Sequence, residues 1–149
     1  MIGKDSIDEQ LIRLLGKDAR QSSRKLAKQL NISASTVRSR LRRLIRSEKL
    51  HFIIAVDPFK AGLRVIAQIL LDVEQAKIEK TLETLVKFPE ISYVSSTTGR
   101  FDIIIFACFA SHHDLAMFLQ NQLGKMEGVR DSETLICLDI KKGQFVPVQ

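Results

Sequence analysis

Apolar positions in the first 50 residues recur with the period of a helix, three times in succession. Ile7, Leu11, Leu14 and Leu15 stand at i, i+4, i+7 and i+8 and predict one buried stripe. The stripe opens on Ser6-Ile7-Asp8-Glu9, a capping box in which the Ser hydroxyl and the Glu carboxylate satisfy otherwise orphaned backbone N–H groups. A second helix is expected to start at Ser22, to bury Leu26, Ala27 and Leu30, and to stop at Asn31, which tolerates the left-handed backbone of a tight turn. Ile32 is placed to plug that turn, and Ser33 to cap a third helix, ASTVRSRLRRLIR.

From Leu50 onward the pattern becomes that of strands. LHFIIAV, residues 50–56, reads as a β-branched strand that Asp57-Pro58 ends. Two strand-helix-strand blocks follow: strand 64–73, helix 75–87, strand 91–98, then strand 103–109, helix 112–124, strand 131–140. Pro89 and Gly128 punctuate the helix-to-strand connections, and Ser111-His112-His113-Asp114 begins the second helix. The order β-α-β-β-α-β is the ferredoxin-like arrangement. Two helices cover one sheet face, so polar residues should alternate on the other. IIIFACF, at 103–109, does not alternate, and LICLDI, at 135–140, is apolar on both sides for its first half. The cover this demands is most simply a second subunit, with strand 50–56 or a loop as the competing cover.

Charge divides the chain at the same place. Residues 1–50 hold 13 Lys and Arg against 5 Asp and Glu, whereas residues 51–149 hold 10 against 12. A polyanion-binding module and a solvated basic face explain this equally well, so the residues on the third helix must decide. At about 100° per residue, Val37, Leu41, Leu44 and Ile45 share one arc, and Ser35, Thr36, Ser39, Arg42 and Arg43 share the opposite one. Small hydroxyls let a helix approach closely, and Arg forks onto guanine edges or reaches phosphates. Arg38 and Arg40 lie on the flanks, where they suit phosphate contact or packing of their stems. A solvated face explains the Arg count but not the short turn at Asn31 or the grouped small residues. The reading is a helix-turn-helix that binds double-stranded DNA.

Other classes find little support. No apolar run reaches the roughly 18 residues of a membrane span, and the acidic start does not resemble a signal peptide, so a cytoplasmic protein is expected. Cys108 and Cys137 lie in apolar surroundings without CxxC spacing, which suits buried free thiols, with a disulfide as the other option. There is no glycine fingerprint, phosphate loop or HExxH. His112 and His113 point about 100° apart on a helix and cannot easily share a metal, His51 stands alone, and Ser95 and Ser96 have no base partner. No catalytic residue, metal or cofactor is expected. An RNA-binding sheet would carry exposed aromatics beside basic residues, whereas Phe106 and Phe109 sit among Ile, Ala and Cys and read as core.

SIDEQLIRLLGKDARQSSRKLAKQLNISASTVRSRLRRL closely resembles the N-terminal DNA-binding region of the Lrp/AsnC family of transcription regulators. The likeness continues through VDPFKAG at 56–62 and TGRFD at 98–102, and so covers nearly the whole chain. Lys49 departs from the family's usual Gly near the end of the third helix, and Phe101 replaces a common Tyr.

The resemblance implies an α+β fold in three parts: a winged-type helix-turn-helix at 1–50, a connecting strand and linker at 51–63, and a ferredoxin-like ligand-sensing and oligomerisation domain at 64–149. The polar arc of the third helix and its flank give the expected DNA contacts as Ser35, Thr36, Arg38, Ser39, Arg42 and Arg43. The resemblance also implies dimers assembled into tetramers or octamers, with an amino acid or related small molecule as effector between subunits. Gly99 permits a tight backbone, Thr98 adds a hydroxyl, and Asp102 could accept an ammonium. Arg100 could meet the ligand carboxylate or a neighbouring subunit's acid, and Ser132 and Thr134 come from the last strand. Without the resemblance, Gly99 simply makes a hairpin and Asp102 caps it. An effector-independent architectural DNA-binding protein of the same fold is the alternative.

Overall fold

The computed structural model describes residues 6–143 and the backbone of Val146 and Pro147. Residues 1–5, 144, 145, 148 and 149 of the expected terminal segments lie outside the described residues. The chain forms two compact units, with the boundary between Ile53 and Ile54.

The first unit is three helices, α1 (Ile7–Lys17), α2 (Ser23–Leu30) and α3 (Ala34–Arg46). The capping box forms as expected: the Glu9 N–H donates to Ser6 Oγ at 3.4 Å, and the Ser6 N–H to Glu9 Oε2 at 3.0 Å. Ser22 caps α2 and Ser33 caps α3. Between them Asn31 takes φ 51°, ψ 47°, and the Ile32 N–H reaches the Ala27 carbonyl at 3.1 Å. A three-residue turn therefore fixes the angle between α2 and α3. Leu11, Leu15, Leu26, Ala27 and Val37 form the core, with Ile7, Leu14, Leu30, Ile32, Leu41 and Leu50 around it. Each fully buried Leu contributes roughly 1.5–3 kcal/mol. Ile45, expected on the apolar arc, is instead 46% exposed, because no described residue of this unit covers the last turn of α3 on that side.

The exit from α3 uses a residue other than glycine. Glu48 adopts φ 56°, and the paired bonds from the Glu48 N–H to the Ile45 carbonyl and the Lys49 N–H to the Leu44 carbonyl, both 3.0 Å, close the helix. Among the described residues up to Ile53 no strand forms. The strand expected at 50–56 shrinks to β1 (Ala55–Val56), which pairs with β6 (Val146–Pro147). Phe52, Ile53 and Ile54 are left exposed, since a β-branched run becomes a strand only where a partner edge exists.

The second unit carries β2 (Val65–Val73), α4 (Ile78–Leu85), β3 (Ile91–Ser96), β4 (Ile103–Phe109), α5 (His112–Asn121) and β5 (Val129–Ile136). The sheet order is β3-β4-β2-β5, all antiparallel, which is the ferredoxin-like topology expected. Single 3-10 turns at Gln75–Lys77 and Leu123–Lys125 replace the outer turns of the longer helices expected at 75–87 and 112–124. Strand β5 starts and stops earlier than the expected 131–140. Its last bond, from the Cys137 N–H to Ile66, lies at the end of β2, beyond which nothing remains to pair.

One sheet face is closed by the helices. Val65, Ala67, Ile69, Leu71, Ile103, Ile105, Ala107 and Phe109 pack there with Leu85, Leu115 and Phe118. The other face carries Ile66, Leu70, Ile104, Phe106 and Cys108 along the two central strands, with Tyr93 and Leu135 beside them at 53% and 44% exposure. Phe109 is core, as expected. Phe106 is not: it lies half-buried on this open face, edge-on to Tyr93 at 5.8 Å. Cys108 and Cys137 are free thiols flanking Ile66.

Candidate nucleic-acid interface

Helix α3 holds five arginines and no acid. Its polar arc presents Ser35, Ser39, Arg42 and Arg43 to solvent, with Thr36 half-buried and Arg38 exposed on the flank. These side chains border shallow grooves along the helix. One is lined by Ser35, Thr36, Ser39, Arg40 and Arg43, another by Ser39, Arg42, Arg43, Arg46 and Ser47. All six residues expected to contact DNA therefore belong to one helix face or its edge.

Two further residues join them. Arg46 lies seven positions after Ser39 and four after Arg42, so it falls on the same arc, and this spacing was legible. Ser33 is the hub of the helix start: its Oγ accepts the Thr36 N–H at 3.0 Å and lies 2.7 Å from Ser35 Oγ and 2.8 Å from Thr36 Oγ1. Three hydroxyls thus cluster at the N-terminus of α3 around the capped Thr36 N–H.

Charge on this helix is split. Asp8 of α1 reaches across to α3, its Oδ1 2.8 Å from Arg40 Nη1 and its Oδ2 2.5 Å from Arg43 Nη2. Burial alone would raise the Asp8 carboxyl, but the hydrogen bonds and charges of Arg40 and Arg43 outweigh it and hold the carboxyl below its ordinary range. Arg38, Arg42 and Arg46 have no acidic partner among the described residues.

Most of the residues expected to meet an effector lie at one end of the sheet. Asp102 ties the loop between β3 and β4 to β2: its N–H donates to the Leu71 carbonyl, and its Oδ2 accepts the Val73 N–H, both at 2.9 Å. Within the loop, Thr97 Oγ1 donates to the Phe101 carbonyl at 2.7 Å, and the Arg100 guanidinium lies 5.0 Å from the centre of the Phe101 ring. Thr98, Gly99 and Arg100 are exposed, and Gly99 takes φ 122°. Ser132 and Thr134 pair with Leu71 and Ile69 on the opposite flank of β2. Two strand spacings, roughly 10 Å, thus separate Ser132 from Asp102. The structure places the four loop residues and Ser132 towards one sheet end, whereas Thr134 lies opposite Ile69 at the middle of β2. Among the described residues no three His, Cys, Asp or Glu side chains converge as a metal site, and no helix is long and apolar enough to cross a membrane.

A short-turn helix pair with an arginine-rich outer helix, joined to a ferredoxin-like unit, defines a two-part DNA-binding protein of the helix-turn-helix class. Comparison with known proteins makes this specific. Residues 5–45 match the AsnC-type helix-turn-helix domain and residues 64–146 the Lrp/AsnC ligand binding domain. The chain belongs to the Lrp/AsnC family of DNA-binding transcriptional regulators, a family of regulators and not of enzymes.

Similar proteins include an HTH-type transcriptional regulator of Pyrococcus abyssi, 35% identical over 145 residues that span 97% of this chain and 92% of the relative. The regulator Ptr1 of Methanocaldococcus jannaschii is 31% identical over 146 residues, 97% of this chain and 99% of that one. Among solved structures, AsnC of E. coli superposes with a TM-score of 0.84 at 26% identity, covering 92% of this chain and 93% of its own. A Neisseria meningitidis transcriptional regulator in complex with L-Met superposes with a TM-score of 0.85 at 21% identity, covering 93% and 92%, a likeness of fold.

Proposed function

We propose that this regulator binds DNA as a homo-oligomer whose assembly or DNA affinity is set by an amino acid or related small molecule. Two symmetry-related α3 helices would enter successive major grooves, with a degenerate palindrome as operator. Ser35, Thr36 and Ser39 would approach base edges, and Arg38, Arg42, Arg43 and Arg46 the bases and phosphates. Self-association is supported by the open sheet face, where half-buried Leu70, Ile104 and Phe106 continue into exposed Tyr93 and Leu135. A dimer formed there could assemble further into tetramers or octamers that contact DNA at several points.

The observation that carries the sensing reading is the loop from Thr97 to Asp102, anchored at both ends while its crest stays exposed. Thr98, the backbone at Gly99, Arg100 and the free oxygen of Asp102 are the effector's expected partners there, with Ser132 and Thr134 across β2. The family model for residues 64–146 is that of a ligand binding domain, and one protein of this fold was solved with L-Met. One observation favours the effector-independent alternative: Asp102 Oδ2 already accepts the Val73 N–H.

Gel shifts with the protein's own upstream DNA across an amino-acid panel, together with calorimetry on wild type and Asp102→Ala, test the reading. An effector must bind and must also shift the DNA or oligomer equilibrium. A ligand that binds both proteins equally removes Asp102 from the site. No ligand for wild type leaves the architectural reading.

A further inference from the structure

Asp8 is not on the helix that faces DNA, yet it touches two arginines of that helix through separate oxygens, Arg40 at 2.8 Å and Arg43 at 2.5 Å. The contacts run Arg40–Asp8–Arg43, and of the two arginines Arg40 is the more buried, at 32% side-chain exposure against 65% for Arg43, with Asp8 at 21% between them. Arg40 thus fixes Asp8 from the inner side, and Asp8 fixes Arg43, whose guanidinium still reaches solvent beside Ser39 and Arg42. We propose that Asp8 is a specificity-determining positioning residue, which holds Arg43 as a pre-oriented reader of a guanine edge and leaves the phosphates to Arg38, Arg42 and Arg46.

This role of Asp8 rests on the proposed DNA-facing role of α3 and on the chemistry of the guanidinium and the carboxylate that holds it. It has five N–H donors in a planar fork, so one bond to Asp8 leaves at least one two-donor edge intact. A fork held by a carboxylate has given up its side-chain freedom before DNA arrives, which is preorganisation of a contact that needs two parallel hydrogen bonds. The same carboxylate repels a phosphate, whereas guanine O6 and N7 are uncharged acceptors and tolerate it. Arg43 is therefore set apart from Arg38, Arg42 and Arg46 by chemistry, although all four share one stretch of helix.

The test uses the full chain, its own upstream duplex with each G·C pair changed to A·T in turn, and a non-specific duplex over a salt series. Asp8→Asn should lower discrimination at one guanine position about tenfold, while non-specific binding strengthens and its salt slope grows by about one as the freed arginine turns to phosphate. Asp8→Glu should restore part of the discrimination. Arg43→Lys keeps the charge and the Asp8–Arg40 pair but loses the fork, so it should lose the same guanine preference with little change in non-specific affinity; this variant carries the test if Asp8→Asn does not fold. Parallel loss of specific and non-specific binding in Asp8→Asn, with every base preference unchanged, would make Asp8 only a staple between α1 and α3 and overturn the proposal. Unchanged DNA binding in Arg42→Ala/Arg46→Ala would instead overturn the reading of the α3 face itself.

Discussion

Gly128 packs against Lys77 so closely that a Cβ built on the glycine would fall 2.6 Å from the Lys77 Cβ. The backbone there, at φ 94°, is also one that side-chain-bearing residues rarely adopt. The contact joins the turn before β5 to the turn before α4, and the Glu74 N–H seals it by donating to the Gly128 carbonyl at 2.8 Å. Gly128→Ala should therefore destabilise the second unit by about 1–3 kcal/mol through strain and clash together. Thermal unfolding of the full chain checks this, and an unchanged midpoint would show that the turn relaxes freely.

The same corner titrates. Glu127 Oε1 and Oε2 bind Lys77 and Lys80 at 2.6 and 2.9 Å, and these hydrogen bonds, Lys77 first, hold the Glu127 carboxyl down at about 2, below its ordinary 4.5. The folded state thus favours the ionised form. Its contribution is complete above about pH 4.5 and disappears as pH falls towards 2. Lys77 is raised, chiefly by its bond to Glu127, so its share is complete below 10.5 and is lost as pH rises through the raised value. Glu127 is exposed and Lys77 only partly buried, so the pair is well solvated and the stabilisation is small. An NMR titration of Glu127 should show the low value in wild type and a return towards 4.5 in Lys77→Ala/Lys80→Ala.

Glu48 occupies a left-handed backbone, φ 56°, at the end of α3. Glycine reaches that conformation without steric cost, so Glu48→Gly should stabilise the helical unit by about 0.5–1 kcal/mol. It also removes an acid near α3, and DNA affinity should rise slightly. A lower unfolding midpoint would contradict the assignment of Glu48 as the residue that ends the helix.

Arg42 and Arg46 share the polar arc of α3 and have no ion-pair partner among the described residues. Arg42→Ala/Arg46→Ala should fold normally and bind DNA with a salt slope shallower by about two. Arg43→Ala should flatten the slope less, because Asp8 already neutralises part of that charge.

Local signals carried far in this chain and long-range ones did not. The capping box at Ser6, the left-handed Asn31 and the cap at Ser33 each depend on residues within a few positions, and all were legible. The strand expected at 50–56 failed because β-branched residues report a fit to a sheet surface, not the presence of an edge to join, and only Ala55 and Val56 meet one. In sequence Phe106 reads as core, because two-sided burial and one-sided burial look alike in an apolar run. The Asp8 contacts to Arg40 and Arg43 span 32 and 35 residues and have no sequence periodicity that could reveal them. In the effector loop, Gly99 and Asp102 could be singled out, but the bond from the Val73 N–H to Asp102 depends on the sheet order, which brings β2 beside β4.

The most direct test of the account is a hydroxyl-radical footprint of the full chain on its own upstream DNA, run beside Arg42→Ala/Arg46→Ala. Paired α3 helices in successive major grooves predict protections on one face of the duplex, about one helical turn apart, that fade in the variant. A wild-type footprint without that pairing, or one that the variant reproduces in full, would contradict it.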